Sequence, residues 1–270
     1  MSAAAEFFAS LPLVYAGMVA SLLAGLAAGV GALPVLLISQ ASQRLQDVLL
    51  GTAAGIMLAA ASFSLLLPAL DAGAEQFGGL MAGGAVAALG LLLGASGIWF
   101  AHKNLPHEHF FQGQEGVQGR QVRRIWLFIF AITLHNIPEG LAVGVGFGGG
   151  NVANGLALTV GIFLQNLPEG FVVALALLGL NYARLTAIGV ALATGAVETV
   201  GGFIGAGFVS LSVALLPLGL AGAAGAMLFV ISHEIIPETH GNGHQSPATF
   251  GLVAGFALMM VLDVVTAGLI

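Results

Sequence analysis

The sequence predicts an all-α, polytopic membrane bundle of eight transmembrane helices, and three observations carry that prediction. The chain is 58% hydrophobic and only 7% charged over 270 residues, whereas soluble domains hold about 25% charged residues. Its apolar residues gather into runs long enough to cross a bilayer, which takes about 20 residues per helix. Its 41 glycines suit a tight bundle, because small residues let membrane helices approach backbone to backbone.

The first span is read at 12–38 and closes at the polar break Ser39–Gln46. The second, 47–70, ends at Asp71–Phe77, and the third, 78–101, runs into the long polar loop His102–Gln121. The fourth, 122–147, and the fifth, 152–179, are parted by Gly148–Asn151; Leu180–Ala183 then leads to the sixth, 184–211. The seventh, 214–238, is divided from the sixth on length and on Ser210, Ser212 and Pro217. The eighth, 247–269, follows the break Thr239–Ser246. Glycine pairs one turn apart, such as Gly140/Gly144 and Gly201/Gly205, support close packing. No linker interrupts the pattern, so residues 1–270 read as one integral membrane domain.

All six basic residues, Arg44, Lys103, Arg120, Arg123, Arg124 and Arg184, fall in or beside loops on one side of this topology. The positive-inside rule puts those loops, 102–121 included, in the cytoplasm, with both termini outside. A multi-pass protein of the cell membrane follows, with the lipid bilayer as its first partner. The opening residues lack the basic region of a secretory signal. Six Lys and Arg cannot build a phosphate-binding face, which excludes nucleic acid. The absence of cysteine excludes disulfides, thiolate metal sites and iron–sulfur clusters.

Two near-copies of one polar motif interrupt the apolar spans: His135-Asn136-Ile137-Pro138-Glu139-Gly140 and Gln165-Asn166-Leu167-Pro168-Glu169-Gly170. Positions i and i+4 share a helix face, so His135 projects with Glu139, and Gln165 with Glu169. Each proline lacks an N–H and frees the carbonyl four residues earlier, at Leu134 and Leu164. Freed backbone at membrane depth is tolerated only against protein or a wet cavity. Asn136 and Asn166 stand one residue further round, able to offer carbonyl oxygens to a second ion. The sixth span adds Glu198, another carboxylate in an apolar run. Ionisable groups inside membranes mark ion or substrate paths by default. Imidazole, carboxylate and carboxamide without sulfur suit Zn²⁺, Fe²⁺, Mn²⁺ or neighbours in that row better than Cu⁺. The competing reading is a structural polar knot in which glutamate bonds histidine across helices.

A further cluster, Ser232-His233-Glu234-Ile235-Ile236-Pro237-Glu238-Thr239-His240, ends the seventh span. It has the outline of the metalloprotease HExxH helix but carries Pro237 where the second histidine belongs. His233, Glu234 and Glu238 are read as a cation exit route, the alternative being an interfacial anchoring cluster, with His107 and His109 as loose loop ligands. Asp47, Met57, Ser62 and Ser64 are candidates for lining the path, and Asp263 is assigned a scaffold hydrogen bond.

With HNIPEG on a fourth helix, QNLPEG on a fifth, a glutamate on the sixth and HEIIPE on the seventh, the chain resembles the ZIP family of divalent-metal transporters, its bacterial branch in particular. The resemblance implies uptake of Zn²⁺, or of Cd²⁺, Fe²⁺, Mn²⁺ or Co²⁺, through a mid-membrane two-metal site in the bacterial inner membrane, without enzymatic activity. It implies that His135, Glu139, Gln165 and Glu169, with Met57, hold the transported ion. Asn136, Glu139, Asn166, Glu169 and Glu198 would hold a second, with Glu139 and Glu169 bridging. Gln165 stands where many members have histidine, and Asn166 where some have an acid; both changes lower the ligand charge. The family likeness also implies inverted internal repeats, with spans 1, 4, 5 and 6 moving against 2, 3, 7 and 8; a homodimer is the candidate assembly. The rivals are an intramembrane metal-dependent hydrolase, with Glu139 or Glu234 acting on zinc-bound water, and an ion-coupled carrier of another solute.

Overall fold

A computed structural model describes residues 3–104 and 117–268; they are helical almost throughout, with no strand among them. A short helix α1 (Ala3–Ser10), absent from the sequence-based expectation, precedes Pro12 and the first span, α2 (Leu13–Ala32), which tightens into a 3₁₀ turn at Leu33–Leu36. The second span is α3 (Gln43–Ala59), a π-helical stretch Ala60–Leu66, and α4 (Leu67–Phe77). Ser42 caps its start by accepting the Leu45 N–H, and Gly78 ends it in the left-handed conformation. The predicted break Asp71–Phe77 is therefore helix: its few polar residues do not offset the continuing backbone ladder.

The third and fourth spans are α5 (Leu80–Asn104) and α6 (Val117–Gly148). Asn151 caps the fifth, α7 (Val152–Leu178), accepting from the Asn154 N–H at 3.0 Å. The sixth divides at Val197 into α8 (Arg184–Ala196) and α9 (Glu198–Leu211). The seventh is α10 (Leu216–Val230), a second π stretch Ile231–Ile235, and α11 (Ile236–His240); the eighth is α12 (Gln245–Gly268). Eight of these spans are long and apolar enough to cross a membrane. In both the second and the seventh, the π stretch runs into a proline within the next turn, Pro68 and Pro237. A π turn is a local insertion, frequent at functional sites, that re-aims the side chains beyond it.

The bundle is two groups of four. Spans 1, 4, 5 and 6 pack mainly on one another, most extensively 1 with 6 and 4 with 6, then 1 with 5. Spans 2, 3, 7 and 8 form the other group, most extensively 2 with 8 and 3 with 7. Exchanging spans 1–3 for 6–8 and 4 for 5 turns each pairing into its counterpart, as inverted repeats require. Thinner contacts of 2 with 5, 4 with 7 and 5 with 8 join the groups.

Glycines make the difference between these seams chemical. Inside a group, helices meet backbone on backbone: a Cβ at Gly55 would overlap the Leu252 carbonyl, and one at Gly94 that of Gly222. In the other group, a Cβ at Gly25 would overlap the Gly195 carbonyl and one at Gly195 that of Gly25. Between the groups, Gly161 faces the Met259 thioether and Gly219 the Val145 side chain. Side-chain tips can yield where carbonyls cannot.

Candidate metal centre

The two motifs lie on α6 and α7, with the ends of both helices fixed by their packing on α9 and α2. The glycine of each motif is the point of closest approach. A Cβ at Gly140 would overlap the Glu198 carbonyl of α9, and one at Gly170 the Ala28 carbonyl of α2. Ser21 of α2 donates its hydroxyl to the Gly140 carbonyl at 3.3 Å as well as to Gly17. The turn after each glutamate is thereby clamped.

The side chains converge in the interior. Glu139, Gln165 and Glu198 are fully buried, Asn136 and Asn166 nearly so, and Glu169 and His135 are 5% and 6% exposed. Gln165 Nε2 donates to Glu139 Oε1 at 2.6 Å, joining one motif to the other. Asn166 Nδ2 donates to Glu198 Oε1 at 2.5 Å and to the Ala24 carbonyl at 3.1 Å, joining α7, α9 and α2. Glu198 opens α9, where the positive end of the helix dipole favours a carboxylate. His135 Nε2 lies 2.5 Å from Glu234 Oε2, which stands in the π stretch of the seventh span.

Every amide N–H that forms these bonds points at a carboxylate or carbonyl, and each bond leaves an oxygen over. Asn136 Oδ1, Glu139 Oε2, Gln165 Oε1, Asn166 Oδ1, Glu169 Oε1 and Glu198 Oε2 are buried without a hydrogen-bond partner among the described residues. Buried polar atoms are ordinarily bonded, so six unmatched acceptors in one region, with no donor turned toward them, form an environment for positive charge. Among the described residues, no group of three or more His, Asp and Glu side chains is arranged to hold an ion by itself.

A cavity of about 640 Å³ leads away from this cluster. His135 and Glu169 stand in its wall, and it passes His233, Glu234 and Glu238 to reach Gln43, Gln46 and Pro237 at the end of the bundle that carries the basic loops. His233 and Glu238 are exposed, Glu234 half-buried. Gln43 and Gln46 escaped sequence reasoning, although they are the amides that begin the second span.

Other candidates stand elsewhere. Asp47 does not line the cavity: its carboxylate accepts from Gln43 Nε2 (2.9 Å), Asn242 Nδ2 (3.1 Å) and His244 Nδ1 (2.8 Å), which ties the loop between the last two spans to α3. Ser64 is likewise withdrawn, donating to Asp263 Oδ1 at 2.8 Å and linking the second span to the eighth. That bond accounts for Asp263 as a scaffold group. Ser62 returns its hydroxyl to the Leu58 carbonyl. Met57 is fully buried within the main apolar core. His107 and His109 lie outside the described residues. Thr199 Oγ1, beside Glu198, is a further buried oxygen without a partner, and nothing in the sequence distinguished it from any other helix threonine.

Residues 101–263 match the family described as ZIP Zinc transporter. The chain belongs to the ZIP family. It is 48% identical over 248 residues to zinc transporter GufA of Myxococcus xanthus, covering 92% of this chain and 98% of that protein. It is 49% identical over 247 residues to zinc transporter ZIPB of Bordetella bronchiseptica, covering 89% and 78%. Zinc transporter ZIP11 of Homo sapiens is 32% identical over 319 residues, covering 87% and 92%. The ZIP match spans both paired motifs, Glu198 and the histidine–glutamate cluster of the seventh span.

Proposed function

We propose that this ZIP protein carries divalent metal ions across the membrane, Zn²⁺ first among them, and releases them into the cytoplasm. The observation that carries the reading is the set of six unmatched oxygens, one of them on Glu169 in the wall of a cavity that opens toward the basic loops. Three buried carboxylates cost several kcal/mol each if ionised and unpaired; a doubly charged ion compensates them, and protons do so between ions. The named activity of its relatives supports zinc as the cargo, and the positive-inside rule supports the cytoplasm as the side of release.

In this reading His135, Glu139, Gln165 and Glu169 strip water from the transported ion. Asn136, Asn166 and Glu198 share the two glutamates with a second ion. Amide oxygens complete the shell in this reading, since among the described residues no three acids and histidines stand together to hold an ion. The ion leaves past Glu234, His233 and Glu238 along the cavity. Metal binding competes with protons at such ligands, so zinc affinity is expected to fall as pH is lowered. Calorimetry of the purified protein at several pH values measures this. The decisive experiment is zinc uptake into proteoliposomes: His135→Ala and Glu169→Ala abolish it, and wild-type rates in both variants would refute the proposal.

A further inference from the structure

We infer that α1 is a lid over the route on the face opposite the cavity mouth, with the Phe8 ring as its latch. The cavity serves only one end of the ligand cluster. Toward the other end, the ligand-bearing helix faces continue as apolar stripes. On α6, Val143 and Phe147 lie one and two turns beyond Glu139; on α7, Ile162 and Leu158 lie one and two turns before Gln165. With Leu65 of the second span they belong to one continuous buried core, each at most 1% exposed. This is a dry plug, and an ion arriving from that face must part it.

Phe8 is the plug's outermost layer. Its ring stacks on Phe147 with centroids 5.1 Å apart, and both rings belong to the core cluster. Phe147 in turn rests on α7 so closely that a Cβ at Gly155 would stand 2.6 Å from its ring. Thus Phe8 bears on the outer ends of the two helices that carry the paired motifs. The rest of α1 is built to lift. Only Ala5 and Phe8 of its eight residues are buried, and Glu6 and Phe7 on its other faces are exposed. Pro12 separates it from the first span, leaving Leu11 and Pro12 as the hinge.

The inference extends the transport reading, but its test needs no flux. The chain has no cysteine, so Leu158→Cys provides a single thiol within the plug. Right-side-out vesicles are treated with a membrane-impermeant maleimide on the face bearing α1. Adding Phe8→Ala, or deleting residues 2–10, is expected to speed labelling by roughly tenfold or more, since truncating a buried phenylalanine shifts a packing equilibrium by over a decade. Phe8→Leu, which keeps apolar bulk, leaves the rate near that of Leu158→Cys alone. Unchanged labelling in both the alanine and the deletion variants overturns the lid. So does an equal acceleration with reagent on the opposite face, which signifies general loosening. Labelling that responds in a protein inactive in zinc uptake keeps the lid and removes the transport reading.

Discussion

Gln165 is the pivot of the site at residue scale. Its N–H group occupies one oxygen of Glu139 while its own carbonyl oxygen is left over. An amide in that place offers a neutral, hard ligand, where imidazole would bind Zn²⁺ more strongly. Gln165→His is therefore expected to tighten zinc binding, by about tenfold, and to slow release; calorimetry and uptake together distinguish the two effects. Glu139→Gln keeps the shape and removes the charge. It is expected to cost more than the 10–100-fold in affinity lost when groups outside the ligand shell are changed, read by zinc titration. The paired motifs and Glu198 were legible in the sequence because ionisable groups in apolar runs have few other reasons to be there. The bonds that hold Asp47 and Ser64 were not legible, for the converse reason. Their partners, His244, Asn242 and Asp263, are nearly two hundred residues away, and a hydrophobicity pattern contains no trace of such a pairing.

At the scale of elements, hydropathy located all eight spans, because a helix in oil must be long and apolar whatever its neighbours are. It did not reveal the break at Val197 or the π stretches, since these change which way side chains point without changing composition. The prolines at 68 and 237 were the available signals, each just past a π stretch. The short α1 was also silent, as two buried side chains in one amphipathic helix are below what periodicity resolves. The motif glycines give a direct test of how the elements are clamped. Gly140→Ala and Gly170→Ala each force a methyl against a carbonyl of the neighbouring helix. Overpacking of this kind costs about 1–3 kcal/mol, so each variant is expected to melt earlier in detergent and to lose zinc affinity. Gly97→Ala, where a Cβ meets nothing, is the silent control.

At the scale of the whole molecule, two groups of helices are each locked internally by glycine seams and touch one another through side chains. That division agrees with the family expectation that spans 1, 4, 5 and 6 travel against the rest, and it makes the motion testable. Val145 and Gly219 face each other across the divide, with a Cβ at 219 standing 3.2 Å from Val145 Cγ1 and 3.4 Å from Cγ2, so that cysteine sulfurs at the two positions would meet. In this cysteine-free chain, Val145→Cys with Gly219→Cys is expected to lose zinc uptake at least tenfold on oxidation and to regain it on reduction. The same treatment of Gly90→Cys with Ala221→Cys, both inside one group, leaves uptake intact. Uptake that survives the first cross-link would mean that the groups do not slide.

The side-chain layer between the groups also bears on the backbone. Sliding across it would re-seat methionine and valine tips in new rotamers without opening a main-chain hydrogen bond, since each helix would keep the partner whose carbonyl it touches. Turnover at constant helicity is the expected outcome. Far-ultraviolet circular dichroism should not change between zinc-loaded and zinc-free protein, while distances between spin labels on opposite sides of the divide lengthen or shorten.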